Sequence, residues 1–458
     1  MRRIVLVGIR GSGKSSVGRR LAKMLSLPFF DCDMILEQRA GRSIPEIFDE
    51  DGEVAFRALE REVIASLSYE PSVVATGGGA VLDPLNIRDL RKGSYVFSLF
   101  ASPETIVARI AGSTRPALTS LSLSGEVVAL MRERAPLYRA SADWCVDDGG
   151  SVGQVASIIL EILRNGPSGP ADREEAARFF ENLFLPACEM EVLRSQLSEH
   201  PFRSLCAILG DPCLHSLSPQ IYNHVFREYG IDSHYTWCES DDPAAVLDMA
   251  KKISMKGLSV TIPFKRAVIP LLDEVDGDAL AIGAVNTVVN CGGRLYGSNT
   301  DWTGVRGPLE AWKGSRAVVF GAGGAAAAAV YALLDLDMDV TILNRDAEKA
   351  ARLASRFECS SGSYDLFGDL NAEVVVNATP VGMKGYGGSL LREDEMHEGM
   401  CVFDLVYTPP ETPLLAAARR AGCTCISGVE MFVHQACAQI KLITGLDLSY
   451  DEVRRMME

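Results

Sequence analysis

Gly8-Ile9-Arg10-Gly11-Ser12-Gly13-Lys14-Ser15 follows directly on a short apolar strand over residues 4–7, and residues 16–25 then read as a helix. Strand, glycine loop and helix in this order form a phosphate cradle. The glycines let backbone amides turn inward around phosphate oxygens, and the helix N-terminus adds its dipole. Gly11, Ser12, Gly13, Lys14, Ser15 and Ser16 are the candidate nucleotide contacts. Lys14 is placed to bridge the β- and γ-phosphates, and the Ser15 hydroxyl to reach Mg²⁺. A chance lysine after a glycine turn would lack this complete context.

A second set of chemistry-bearing residues lies far downstream. Residues 257–262 read as a strand in which Leu258, Val260 and Ile262 alternate against smaller polar side chains. Pro263 removes a ladder donor and ends it, so Lys265 stands just past the carboxyl end, where open α/β sheets bind ligands. Gly283-Ala284-Val285-Asn286-Thr287 comes next, then a hairpin through Cys291-Gly292-Gly293, then Gly297-Ser298-Asn299-Thr300-Asp301. Each is weak alone, since a lysine after a strand is most often a solvated surface residue.

The elements that must position these residues are those of an α/β protein. A chain of 458 residues exceeds one core, so two or three domains are expected. Its 47% hydrophobic and 23% charged residues are those of a soluble globular protein. A net charge of -15 argues against a broad nucleic-acid surface, although local Lys and Arg can still bind small anions. The 12 cysteines are spread singly, without a disulfide framework, and Cys423-x-Cys425 reads as two residues packing on one face. No apolar run reaches the roughly 20 residues of a membrane span. No cleavable leader is legible either, so a reduced cytoplasm is the expectation. Asn165-Gly166-Pro167-Ser168-Gly169-Pro170 breaks the chain, and residues 166–199 read as a polar helical connector.

Phe29-Phe30-Asp31-Cys32-Asp33, Phe56-Arg57, Thr76-Gly77-Gly78-Gly79-Ala80, Arg115-Pro116 and Arg134-Ala135-Pro136-Leu137-Tyr138 follow the phosphate loop in order. With that loop, the series resembles shikimate kinase over residues 1–165. The resemblance assigns shikimate binding to Asp33, Arg57, Gly78 and Arg134. Two guanidinium groups suit a carboxylate, and Asp33 suits ring hydroxyls and can orient the attacking one. Residues 111–125 would be a mobile lid that brings Arg115 onto the phosphates. Asp31 would support Mg²⁺ directly or through water. All 6 histidines lie after residue 199, so a general base here is a carboxylate or water.

The Lys265 region resembles the substrate domain of shikimate dehydrogenases, together with His215-Ser216-Leu217-Ser218-Pro219 ahead of it. By resemblance, Ser216 and Ser218 hold the substrate carboxylate. Thr261, Lys265, Asn286 and Asp301 hold the ring hydroxyls and reacting carbonyl, with Lys265 and Asp301 as the catalytic pair. Ser218-Pro219 also reads as a helix cap. Ser259 stands where bacterial members usually carry Asn, which leaves shikimate against quinate selectivity open. Gly321-Ala322-Gly323-Gly324-Ala325 after a strand over 316–320 is the family's dinucleotide loop. The next strand ends in Asn344-Arg345 rather than an acidic residue, which favours the 2′-phosphate of NADP, with Lys349 adding charge and Asp346 working against it. Thr379 of Asn377–Met383 is a further cofactor contact, and Tyr407 and Gln435 would return to the substrate.

The expected architecture is a three-layer P-loop kinase domain (1–165) and the connector (166–199). A substrate-binding domain (200–301), a Rossmann-type NADP domain (302–430) and C-terminal helices (431–458) follow. The expected function is reduction of 3-dehydroshikimate with NADPH and phosphorylation of shikimate with Mg·ATP, with no nucleic-acid or membrane partner and an open oligomeric state. A metabolite-sensing regulator, or a quinate dehydrogenase with a vestigial kinase, are the alternatives; the joint presence of Lys14, Ser15, Asp33, Lys265 and Asp301 disfavours them. The Gly-Pro break also predicts two separable halves, with no catalytic residue of one reaction borrowed from the other half.

Overall fold

Short aliphatic runs between polar turns make the strands, and two of the three sheets are wholly parallel, with central strands apolar on both faces. The structure, a computed structural model, describes residues 2–111, 121–147, 149–166, 168–183, 185, 187–199 and 204–457. The first sheet holds β1 (Arg3–Val7), β2 (Phe29–Asp31), β3 (Val73–Ala75), β4 (Ser94–Phe100) and β5 (Trp144–Asp147), in the order β2-β3-β1-β4-β5. Along β1 successive residues serve opposite layers. Ile4 and Leu6 pack with Val17, Leu21, Val155 and Ile159 on one face, while Val5 and Val7 join Leu36, Ile47 and Phe56 on the other. That is the three-layer arrangement expected of the first domain.

The second sheet holds β6 (Ser204–Gly210), β7 (Ser233–Glu239), β8 (Gly257–Val260), β9 (Glu274–Val275), β10 (Thr287–Cys291) and β11 (Arg294–Ser298). Its order is β7-β6-β8-β10-β11-β9. Gly292 and Gly293 join β10 to β11 with φ of 61° and 83°, the left-handed pair that a two-residue hairpin turn needs. The third sheet, β12 (Arg316–Phe320), β13 (Asp339–Leu343), β14 (Ser360–Gly362), β15 (Val374–Asn377), β16 (Cys401–Asp404) and β17 (Thr424–Ile426), has the order β14-β13-β12-β15-β16-β17. This is the Rossmann-type order, with its switch point between β12 and β15. Cys423 and Cys425 pack on one of its cores.

The chain forms two compact units. One is Met1–Leu258 with Val289–Leu295 and Ile440–Asp447; the other is Ser259–Val288, Tyr296–Gln439 and Leu448–Glu458. The connector helices, Pro170–Glu181 and Ala187–Glu199, lie in the first unit, where Glu175 pairs with Lys252 at 2.6 Å and Glu189 with His234 at 2.8 Å.

Three expectations are corrected. The strand over 257–262 ends at Val260: Phe264 N donates to Thr261 O at 2.9 Å, so the turn starts early and Ile262 is exposed. Ser218 is the first residue of the helix Ser218–Glu228 rather than its cap, and its amide donates to Ser216 Oγ at 3.2 Å. Residues 112–120 of the proposed lid lie outside the described residues; past them, Ser122 Oγ accepts from Gly125 N and starts the helix Leu123–Ser141. Cys145 and Cys291 form a disulfide, which single spacing along the chain gave no reason to expect.

Candidate active sites

The phosphate loop needs its glycines. Gly8, Gly11 and Gly13 have φ of 145°, 81° and 75°, and a Cβ on Gly8 would lie 2.4 Å from Leu99 O. The helix Lys14–Leu25 has no side-chain N-cap, which leaves its first amides to an anion. Lys14 is buried, and its Nζ donates to Gly8 O at 2.7 Å and Ile9 O at 2.9 Å, inside the loop it is expected to serve. Ser15 is half-buried and Ser16 exposed at the start of the helix. Ser12 is buried within the loop. These donors fit a nucleotide polyphosphate. Arg115 lies outside the described residues.

Beside the loop is a pocket lined by Asp33, Arg57, Glu60, Gly78 and Arg134, under Phe48 and Phe56. Each glycine of the triplet has its own reason. A Cβ would lie 2.6 Å from Glu60 Oε1 and 2.9 Å from Asp33 Oδ1 at Gly77, 3.0 Å from Arg10 N at Gly78, and 2.1 Å from Arg57 Nη1 at Gly79. Tyr138 donates its hydroxyl to Gly78 O and fixes the triplet on the helix that carries Arg134. Arg57 Nη1 donates to Glu60 Oε2 at 2.8 Å. Burial pushes the Glu60 carboxyl up, against the opposing pull of Arg57. Glu60 Oε1 and Arg134 Nε are buried with no hydrogen-bond partner among the described residues, so the pocket presents an acceptor and a donor to whatever enters. Glu60 is absent from the sequence reading; the Arg57-x-x-Glu60 spacing, one helical turn within Ile44–Ala65, is the signal for it. Asp31 is buried and caps the helix Cys32–Ala40 by accepting from Asp33 N at 3.1 Å.

In the second unit, Lys265 Nζ donates to Asp301 Oδ2 at 2.6 Å. Asn286 Nδ2 donates to Asp301 Oδ1 at 2.8 Å and to Thr300 Oγ1 at 3.0 Å, and Asn286 Oδ1 accepts from Thr300 N at 2.8 Å. Asp301 is 4% exposed, and the side chain of Lys265 is 20% exposed, so the amine is the accessible end of the pair. Thr261 is half-buried just after β8. Gln435 Oε1 accepts from Thr300 Oγ1 at 3.4 Å, and the Tyr407 ring lies tilted against Phe432 with centroids 5.4 Å apart. Burial raises the Tyr407 hydroxyl above its ordinary range. Ser216 and Ser218 lie in the first unit, their hydroxyls 3.2 Å apart.

Ser259 is buried and donates to Gln439 Oε1 at 2.6 Å. Gln439 Nε2 in turn donates to Thr287 Oγ1 at 2.8 Å and to Asn286 O at 3.1 Å. Gln439 therefore ties the helix Gly428–Thr444 to the backbone of Asn286, and it too is absent from the sequence reading. Its signal is the spacing of four from Gln435, which puts both on one helical face. Gln439→Leu is expected to cost about 1–3 kcal/mol, since it removes three buried hydrogen bonds, while Thr287 Oγ1 keeps its bond to Asn286 Oδ1 at 2.8 Å and Asn286 O keeps that from Val260 N at 2.7 Å. Urea unfolding measures this, and a loss below about 0.5 kcal/mol would mean the groups find other partners.

At the switch point, Gly321 has φ of 119° and a Cβ there would lie 2.9 Å from Ala378 O. Ala322, Gly323, Gly324 and Ala325 carry the chain into the helix Gly324–Asp335, whose N-cap Gly323 offers no side chain and has open space around it. This fits a pyrophosphate. Asn344 donates to Asp346 O at 3.1 Å, Arg345 is exposed, and Asp346 caps the helix Ala347–Phe357 by accepting from Lys349 N at 3.2 Å. Thr379 Oγ1 donates to Asn377 Oδ1 at 2.7 Å, and Asn377 to Asp404 Oδ1 at 2.8 Å, so that hydroxyl shapes the loop.

Geometry of this kind joins two classes of enzyme in one chain, a P-loop phosphotransferase and a Rossmann-type oxidoreductase. Residues 10–164 match the family model of shikimate kinase, 208–288 that of the shikimate dehydrogenase substrate binding domain, and 305–383 that of shikimate / quinate 5-dehydrogenase. The shikimate dehydrogenase (NADP(+)) of Pelodictyon phaeoclathratiforme is 37% identical over 274 residues, which is 55% of this chain and 96% of the relative. Among solved structures, shikimate 5-dehydrogenase of Thermus thermophilus in complex with NADP(H) and shikimate has a TM-score of 0.52 at 31% identity, over 55% of this chain and 98% of that one. Quinate dehydrogenase of Corynebacterium glutamicum in complex with NAD has a TM-score of 0.53 at 32% identity, over 56% and 98%. The chain belongs to the shikimate dehydrogenase family and carries a shikimate kinase domain ahead of that part. It is a bifunctional shikimate-pathway enzyme with NADP as cofactor of one activity and ATP with Mg²⁺ serving the other.

Proposed function

We propose that the dehydrogenase reduces the ring carbonyl of 3-dehydroshikimate and that the kinase phosphorylates the hydroxyl so formed. NADPH supplies the hydride and Mg·ATP the phosphoryl group; the residues of the chain bind, orient and move protons. Lys265 Nζ supports the incipient alkoxide with a proton or its charge, held in place by Asp301 Oδ2. Asn286 and Thr261 hold ring hydroxyls, Ser216 and Ser218 the carboxylate, and Gln435 and Tyr407 are further substrate contacts. In the kinase, Arg57 and Arg134 grip the carboxylate, with Glu60 holding Arg57, while Asp33 orients the attacking hydroxyl. Lys14 and Arg115 would stabilise the phosphates of a bound nucleotide, and Ser15 with Asp31 would hold Mg²⁺. The domain boundaries of the sequence reading and a cytosolic setting belong to this reading; among the described residues no helix is long and apolar enough to cross a membrane.

The observation that carries the reading is the hydrogen-bonded set Lys265–Asp301–Asn286, all three buried or half-buried and meeting at one carboxylate. Purified protein with shikimate plus NADP⁺, and separately with shikimate plus Mg·ATP, should turn over in both assays. Absence of NADP⁺ reduction would remove the first half of the reading, and absence of ADP formation the second.

Selectivity for NADP rests on Arg345. With the Asp346 carboxylate engaged as a helix cap, the exposed guanidinium is the charge left for a 2′-phosphate. Arg345→Ala should raise KM for NADP⁺ by about tenfold or more, the scale of one charge-assisted contact, and leave KM for NAD⁺ within about twofold. Equal effects on the two cofactors would make Arg345 structural.

A further inference from the structure

Lys256 belongs to the dehydrogenase half by sequence, lying inside the segment matched to its substrate-binding domain and just before β8. It is 5% exposed. Its backbone is fixed in the second sheet, with N donating to Leu205 O at 2.8 Å and O accepting from Asn290 N at 3.0 Å. Its Nζ leaves that sheet and donates to Arg139 O of the kinase. Arg139 stands in the last turn of the helix Leu123–Ser141, where backbone carbonyls have no intrahelical donor. That same helix carries Arg134, the substrate grip, and Tyr138, which holds Gly78.

Other contacts of the first unit cross the same seam. Cys145 of β5 is bonded to Cys291 of β10. Gly445, with φ of 74°, leaves only 3.0 Å between a Cβ and Ser141 Cα. Arg2 pairs with Asp232 at 2.9 Å, and Arg88 lies 5.0 Å from the centre of the Tyr229 ring. The kinase and the opening strands of the second half are thus docked directly, and the Gly-Pro break does not leave them as beads on a string.

We propose that Lys256 is a positioning residue of the kinase, contributed by the dehydrogenase half: it caps the helix that carries Arg134 and so sets the shikimate grip. The inference rests on Arg134 binding substrate. Arg139 and Arg134 are five residues apart, about 7.5 Å along one helix with Pro136 between them, so a shift at the cap reaches the grip through the last turn, which also holds Tyr138 on Gly78. The cap is also sensitive to pH. Burial, helped by the Arg91 and Arg139 cations and opposed by Asp143 and the Cys206 thiol, brings the Lys256 amine down to about 7. Its ordinary value in an exposed chain is higher, so the docked arrangement gains stability as pH rises above about 7 and loses it as pH falls through that value. Arg91 also donates to Ser141 O at 2.6 Å and Asp143 Oδ1 at 2.9 Å, which places those charges against the amine.

The test uses full-length Lys256→Met in the kinase assay, with NADP⁺ withheld. KM for shikimate should rise about three- to tenfold at pH 8 while KM for ATP stays within about twofold. The ratio of variant to wild-type KM should shrink towards one by pH 6, where the wild type has lost its own advantage. Titration of ATP itself cancels in that ratio. A full-length Asp143→Asn chain supplies a second reading, since removing a carboxylate that favours the charged amine should move the wild-type inflection to lower pH. An unchanged shikimate KM, a ratio independent of pH, or an inflection that Asp143→Asn leaves in place overturns the proposal. So does a parallel loss of ATP affinity and dehydrogenase turnover, which would mean general loosening. Arg134→Lys separates the two ideas. If it leaves shikimate KM unchanged, the site reading fails; if it raises KM while Lys256→Met does not, the cap fails.

Discussion

Lys265→Met should cut dehydrogenase turnover by about two to four orders of magnitude, the range of a positioned acid–base group. Kinase turnover should be unaffected. The argument is geometric, because the amine is the one partly exposed member of a buried set: Asp301 Oδ2 lies 2.6 Å from it and Asp301 Oδ1 is already taken by Asn286. Removing the amine also strands the Asp301 carboxylate, and uncompensated buried charge costs about 3–5 kcal/mol. Loss of turnover could therefore come from chemistry or from a weakened fold, and the two effects must be pulled apart. The double variant Lys265→Met/Asp301→Asn does so. It should recover most of the stability, read as urea midpoint, and none of the turnover. A double variant that regains turnover along with stability would show that the lysine serves structure.

How much of this was legible in the sequence depends on how local each signal is. The phosphate loop and the Rossmann-type loop are legible because glycine alone tolerates their backbone, with Gly8 and Gly321 at φ of 145° and 119° and a neighbouring carbonyl within 3 Å of any Cβ. Lys265 is legible because a proline next to a strand end delivers it to the right edge, even though the strand stops at Val260. Glu60 and Gln439 are not legible in the same way. Both sit mid-helix, where a carboxylate or amide is ordinarily solvated, and only the long-range approach of Gly77, or of Ser259 and Asn286, buries them. Lys256 is a harder case, since its partner is a backbone carbonyl 117 residues away and carries no side-chain signature at all. Ser259 differs again: its departure from the bacterial pattern was legible, but not that its hydroxyl is spent on Gln439.

Asp33→Asn should leave the kinase folded with its ATP affinity intact and lower shikimate phosphorylation by about two to three orders of magnitude. Two carboxylates converge on Gly77, with Glu60 Oε1 and Asp33 Oδ1 at 2.6 and 2.9 Å from its missing Cβ, so either could orient the acceptor hydroxyl. Glu60 is committed at one oxygen, while its Oε1 still faces the pocket. Its Oε2 accepts from Arg57 Nη1 at 2.8 Å, and the pair holds the guanidinium that meets the substrate carboxylate. Asp33 stands at the first turn of the helix Cys32–Ala40, half-buried and lining the pocket, and Asp31 rather than Asp33 caps that helix. Glu60→Gln keeps the shape but removes the buried one of the two carboxylates facing Arg57, the other being Glu53 at 3.0 Å, so its expected effect is on KM for shikimate, with turnover falling less than about tenfold. Burial raises the Glu60 carboxyl, so in the folded chain it takes up its proton at a higher pH than an exposed glutamate. KM in the wild type should therefore worsen as pH falls through that range, and Glu60→Gln should remove this dependence. If Glu60→Gln instead costs as much turnover as Asp33→Asn, the acceptor is oriented by Glu60 and Asp33 only shapes the pocket.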